Sequence, residues 1–168
     1  MKKILLSVVA AAILSSTLAH AAPGIDKKIS IVATINDAIF VSKPDGSTWY
    51  DTEELFASDR YQTTFASNDL PVRIYSTTDK VDVTMKQPLT VVRGDSTQLS
   101  GVKVTLGGLE LSTATATELT QSTPATGGGF DNTYTLKITA NAPTTPVTGT
   151  STNGDYQGDL VMLFEPMP

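Results

Sequence analysis

The chain contains no cysteine, and its one histidine, His20, lies within the first 21 residues. Those two absences exclude Ser-His-Asp and Cys-His nucleophilic arrangements, zinc sites built on His or Cys, thiol redox chemistry and haem ligation through either residue. They also exclude disulfides, so a secreted fold must hold by packing and strand pairing alone. Positive charge is scarce: 12 Lys and Arg stand against 17 Asp and Glu, and no Lys/Arg run occurs. Such a surface repels phosphate backbones, which argues against nucleic acid as a partner. Long apolar runs are confined to the amino terminus, and nothing later approaches the roughly 20 residues that a membrane-spanning helix needs.

That amino terminus reads as an export signal. Lys2 and Lys3 form a positive end, Ile4 to Leu18 an apolar core, and Ala19-His20-Ala21 a small-x-small cleavage site. A cut after Ala21 is expected to leave 147 of the 168 residues, a comfortable size for one soluble domain. Because Lys2 and Lys3 leave while every acid stays, the formal net charge moves from −5 to −7.

Beyond residue 25 the hydrophobic pattern is almost entirely of period two. Alternation marks Tyr61 to Ala66, Val72 to Tyr75, Val81 to Met85, Val102 to Leu106 and Tyr134 to Ile138, each bounded by turn-forming residues. Turns are expected at Lys43-Pro44-Asp45-Gly46, Asn68-Asp69, Arg93-Gly94-Asp95, Gly107-Gly108 and Asn153-Gly154-Asp155. Many short strands with frequent turns predict an all-β sandwich. Thr52 to Ser58 could make a single helical turn at most. The Thr/Ser/Pro/Gly-rich stretches 112–129 and 142–152 are expected to be exposed loops of one domain. Leu160 to Phe164 is continuously apolar, the pattern of a central strand covered on both faces.

The segment Ile25 to Phe40, IDKKISIVATINDAIF, alternates at Ile29, Ile31, Ala33 and Ile35. It could be the first strand of the domain's own sheet or a strand lent to a neighbour; periodicity alone fits both. Four stretches in order (Ile25 to Ile39; Lys43-Pro44-Asp45-Gly46; Gly101 to Thr113, GVKVTLGGLELST; and Gly154 to Met162, GDYQGDLVM) resemble the alpha-clade chaperone-usher major pilins of the colonisation factor antigen I and cable-pilus type. One departure is that the proline of that family after the extension's Asp or Asn is absent, with Asn36-Asp37-Ala38 in its place.

The resemblance implies an incomplete immunoglobulin-like β-sandwich, completed by a donated strand. It divides the chain into a signal peptide (1–21), a donor-strand extension (22–35) and a pilin domain (36–168). Ile29, Ile31, Ala33 and Ile35 would fill a neighbour's groove, and Tyr156, Gly158, Leu160, Met162 and Phe164 would form the carboxy-terminal strand that lines the groove and pairs with the chaperone. The implied product is the major structural subunit of an adhesive fimbria, exported through the periplasm to the cell surface. Its implied partners are neighbouring pilin subunits, a periplasmic chaperone, an outer-membrane usher and a tip adhesin, with no cofactor, metal or catalytic residue.

Two other functions compete. A glycan-binding or adhesin role would use Trp49, Tyr50, Tyr61 and Tyr75 to stack on host sugars, with Asp51 or Asp59 as acceptors. Scattered aromatics in a sandwich are more often core or rim residues. A glycosidase-like enzyme would need paired acids such as Glu53-Glu54 or Asp155/Asp159, and calcium would need more oxygen ligands than Asn153-Gly154-Asp155 and Asp159 offer. Adjacent acids on loops are ordinarily solvated charge.

Overall fold

The computed structural model describes residues 39–143 and 151–167. Regular structure among them is entirely β: β1 (Phe40–Ser42), β2 (Phe56–Ala57), β3 (Thr64–Ala66), β4 (Leu70–Ser76), β5 (Lys80–Met85), β6 (Ser100–Leu106), β7 (Leu109–Glu110), β8 (Thr117–Thr120), β9 (Phe130–Asn141) and β10 (Met162–Pro166). The alternation read from sequence is realised in strands, except that of Tyr61 to Ala66 only Thr64–Ala66 is strand, residues 61–63 belonging to the turn that Asp59 closes. In β4, Leu70, Val72, Ile74 and Ser76 are buried while Pro71, Arg73 and Tyr75 face out; in β5, Val81 and Val83 are buried.

The twelve-residue β9 is the spine of the larger sheet. Leu136 pairs with Leu70 of β4 and with Leu106 of β6, so these two strands flank β9 on opposite sides. β1 adds to the outer side of β4, and β7 to that of β6. β3 and β4 are one strand interrupted at residues 67–69, both antiparallel to β9. Ser67 bridges the interruption: its amide donates to the Ile138 carbonyl at 2.9 Å, and its hydroxyl accepts the Ile138 amide at 3.0 Å where a backbone carbonyl would otherwise serve. Both backbone groups of Ile138 thus keep a partner across the irregularity.

The smaller sheet has the order β10-β5-β8. Apolar residues of both sheets form one core, with Val72, Ile74, Val81, Val83 and Leu106 fully enclosed. Each such side chain contributes about 1.5–3 kcal/mol by leaving water, and this is the main support of a fold without disulfides. The order β1-β4-β9-β6 matches strands A, B, E and D of an immunoglobulin sandwich, and β5 with β10 match C and F.

Three further expectations are corrected. Thr52 to Ser58 holds no helical turn; Phe56–Ala57 is a strand because Phe56 and Ala57 pair with Ala66 and Phe65, and cross-strand bonding overrides a weak local preference. The Thr-rich stretch 112–129 is not all loop. Thr117–Thr120 pairs with β5, and Leu119, 2% exposed, is its core anchor. β-Branched Thr suits a pleated strand even where few of its neighbours are apolar. Finally, the carboxy-terminal strand is not central: β10 pairs with β5 along one side only among the described residues, and its residues are half-buried except for the exposed Glu165. The signal peptide, the donor residues Ile29, Ile31, Ala33 and Ile35, and residues 144–150 of the second expected loop lie outside the described residues.

Gly158 shows how tightly the approach to β10 is packed. A Cβ placed there would lie 2.2 Å from the Thr90 carbonyl oxygen, beside the reciprocal Val92–Gln157 backbone bonds of 2.8 Å. Gly158→Ala should therefore displace residues 90–92 and lower stability by about 1–3 kcal/mol. Gly94→Ala, where a Cβ meets nothing within 4 Å, should change it by less than about 0.5 kcal/mol. Guanidinium unfolding of the two variants checks the contrast; equal midpoints would contradict it.

Candidate functional site

β1 is bonded to β4 on one side, and β10 to β5 on one side. Between these two strands, which belong to different sheets, lies an open cleft of about 260 Å³ lined by Val41, Trp49, Leu160, Met162 and Phe164. Every lining residue is apolar. The cleft thus combines two features of an interaction site: hydrophobic walls and a strand whose outer N–H and C=O groups have no ladder partner among the described residues.

Strand alternation aims the walls. Residues 160, 162 and 164 point to one face of the carboxy-terminal strand and pack against the core, whereas Val161 on the other face is exposed. On the opposite wall Val41 faces inward and Phe40 outward. Trp49 is fixed edge-on against Phe164, with ring centroids 6.1 Å apart, and against Tyr50 at 5.8 Å. Tyr50 is anchored in turn: its hydroxyl donates to the Pro71 carbonyl at 3.0 Å, and the Lys43 ammonium lies 4.6 Å from its ring centroid. Burial, aided by the nearby Glu53 and Asp45 charges, raises the Tyr50 pKa, which keeps that donor protonated.

The five carboxy-terminal residues picked from sequence divide in two. Leu160, Met162 and Phe164 line the cleft. Tyr156 and Gly158 stand upstream and position the strand. Tyr156 is half-buried, donates to the Thr152 carbonyl at 2.7 Å and lies under the Arg93 guanidinium. Arg93 gathers this approach: it donates to the Ser151 and Asn153 carbonyls, to the Asp95 carboxylate and to Thr97. Its guanidinium, together with the Thr97 amide, holds the Asp95 carboxyl well below the usual carboxylate range. The expected turn at Asn153-Gly154-Asp155 therefore serves as a carbonyl acceptor for Arg93. Sequence reasoning missed Val41 and read Trp49 only as a scattered aromatic. The signal available for Trp49 was its place between the first turn and an adjacent tyrosine.

The aromatics and acids weighed for other functions are drawn into structural work or left apart. Tyr75 donates to the Gly128 carbonyl at 3.2 Å, and Tyr61 is 73% exposed beneath Arg60. Asp59 accepts from the Tyr61, Thr63 and Thr64 amides and from both threonine hydroxyls, at 2.7–3.0 Å. That carboxylate is saturated by its own turn. Glu53, Glu54, Asp155 and Asp159 are exposed, and among the described residues no three His, Cys, Asp or Glu side chains gather where a metal could be held.

A family model described as CS1 type fimbrial major subunit matches residues 25–165, which takes in both walls of the cleft. This chain belongs to that family. It is a major structural subunit of a cell-surface fimbrium, a protein that polymerises with other pilin subunits. The solved structure of the CooA pilin subunit from enterotoxigenic Escherichia coli matches with a TM-score of 0.62 and 24% identity, over 76% of this chain and 86% of that one. At that identity the likeness is one of fold. Among curated proteins, none matches the subunit.

The Asp59 turn of this fimbrial subunit gives a pH test. Its pKa is lowered from 3.8 to about 2, chiefly by the Thr63 hydroxyl bond. A depressed carboxylate lends its full support above the ordinary value and loses it as pH falls toward the lowered one. The Thr63 and Thr64 amide resonances should accordingly titrate with a midpoint of about 2 and lose that titration in Asp59→Asn. A midpoint at 3.8 would show the turn to be unanchored.

Proposed function

We propose that this subunit builds the fimbrial shaft by donor-strand complementation, each copy inserting residues 22–35 into the cleft of the next. The observation that carries the reading is the one-sided pairing of β10 beside an apolar cleft. In the immunoglobulin arrangement the strand beyond F is G, and that is the side on which β10 has no ladder partner among the described residues. An extended segment laid there would bond to the β10 backbone and place alternate side chains in the cleft.

The extension has the chemistry for this. Ile29, Ile31, Ala33 and Ile35 recur every second residue, about 6.6–6.8 Å apart in an extended strand. Leu160, Met162 and Phe164 follow the same period on the receiving strand. In such a strand Ala33 would bring the smallest of the four side chains to the cleft, Lys28, Ser30 and Thr34 would face the rim, and Val32 would lie outward. Each isoleucine contributes about 1.5–3 kcal/mol on burial, and each main-chain bond about 0.5–1.5 kcal/mol net. A joint of this kind opens only by strand withdrawal or unfolding, so its lifetime is set kinetically.

Before assembly, a cleft this apolar needs cover. A periplasmic chaperone strand fills that role, and an outer-membrane usher exchanges it for the extension of the incoming subunit, behind a tip adhesin. Because each copy donates at one place and accepts at another, the contact is heterologous and grows into an open filament. The chain carries out no catalysis in this role.

The test separates folding from joining. Removing residues 22–35 should leave a subunit that the chaperone still captures but that cannot add to another. Ile31→Asp should abolish the detergent-resistant ladder of oligomers, because an unpaired carboxylate would enter a dry cleft at a cost of several kcal/mol. Filaments of normal length from either variant would overturn the proposal.

A further inference from the structure

We infer that the outward patch formed by Phe40, Tyr75 and the 125–129 loop is a second contact between successive copies of this chain, seated on the copy that receives the extension. The inference rests on the donor-strand reading and adds an interface to it. Phe40 stands on the outer side of β1, 55% exposed, and its register partner across the ladder is Tyr75 of β4. A single exposed phenylalanine needs no explanation; this one belongs to a built surface.

The surface is built from the loop between β8 and β9. The Tyr75 hydroxyl donates to the Gly128 carbonyl at 3.2 Å. Gly129 packs so closely that a Cβ there would lie 2.5 Å from the Ser76 carbonyl oxygen and 3.1 Å from the Tyr75 hydroxyl. The loop is closed by the Ala125 amide bonded to the Gly129 carbonyl at 2.9 Å and the Gly128 amide bonded to the Ala125 carbonyl at 3.2 Å. At Gly127 and Gly128 a Cβ would meet nothing within 4 Å, so bare backbone faces open space beside the two rings. Arg73 and Asp131, ion-paired across β4 and β9, edge the patch. An apolar centre, side-chain-free backbone and a charged border are the makings of a protein contact.

Chain connectivity names the occupant. Ile35, the last groove-filling residue, precedes Phe40 by five residues, a span of about 18 Å at full extension. The copy holding Ile35 cannot be farther from Phe40 than that, so its surface is tethered beside the patch at high effective concentration. Two contacts per joint, strand and patch, would limit bending of the shaft where a strand alone would act as a swivel.

The cysteine-free chain suits site-specific photo-cross-linking in intact fimbriae, with benzoylphenylalanine at position 31 or at position 40. Both positions should cross-link one subunit to its neighbour. The variant Phe40→Ser, at an exposed position, should keep the detergent-resistant ladder and the unfolding midpoint of the subunit, yet give filaments of shorter persistence length in electron micrographs. Cross-linking from 31 but not from 40, with unchanged filament stiffness, would overturn this inference and leave the donor-strand reading intact. Absence of inter-subunit product from position 31 would overturn the donor-strand reading and this inference with it.

Discussion

The arrangement depends on one constraint: among the described residues β10 is hydrogen-bonded along a single edge, while the residues it turns inward are apolar. A strand in the interior of a sheet satisfies both edges, and a surface strand usually protects its free edge with charge or a bulge. Here the free edge adjoins Leu160, Met162, Phe164, Val41 and Trp49 instead. Water can solvate the backbone groups but not the walls, so the site favours an occupant that is both extended and alternately apolar. Membership of a family of polymerising subunits makes another pilin subunit the natural neighbour of such a site.

The supports around the cleft explain how a domain without disulfides can leave one side open. The fully buried core residues lie on β4, β5, β6, β8, β9 and the loops beside them, while the side chains of β1 and β10 pack against that core from its margin. The approach to β10 is held from outside by the Arg93 bonds and by the contact between Gly158 and Thr90. On the outer faces, neighbouring strands are tied by ion pairs such as Lys80 with Glu118 and Lys103 with Glu110. These pairs are well exposed and each contributes little, about 0–1 kcal/mol; their value is in specifying register more than in strength.

Much of this was legible in the sequence because alternation and burial coincide wherever a strand has one wet face. Val72 and Ile74, Val81 and Val83, and Val104 and Leu106 declared their strands by period alone, and glycine pairs such as Gly107-Gly108 declared the hairpins. Legibility failed where pairing, not hydrophobicity, makes the strand. Phe56–Ala57 exists because it meets β3, and Thr117–Thr120 because it meets β5; neither has a pattern that stands out in isolation. The continuous apolar run at residues 160–164 misled for a related reason. Such a run signals that both faces avoid water, and it cannot distinguish a strand flanked on both edges from one flanked on a single edge. The cleft itself was half legible: its carboxy-terminal wall followed from period two, whereas Val41 and Trp49 join it only through the meeting of two sheets.

The shortness of β1 has a mechanical meaning. In a fibre joined through the extension, tension enters the domain at Phe40 and passes first through the three residue pairs that tie β1 to β4. Pulled along the strand axis, those pairs are loaded together in shear and not peeled one at a time. Beyond them the force spreads into the long β9 ladder. In such a fibre the first link of the load path would be only three residue pairs long, short beside the twelve-residue β9 behind it, so an overloaded shaft would extend at the domain's entrance before its core gave way.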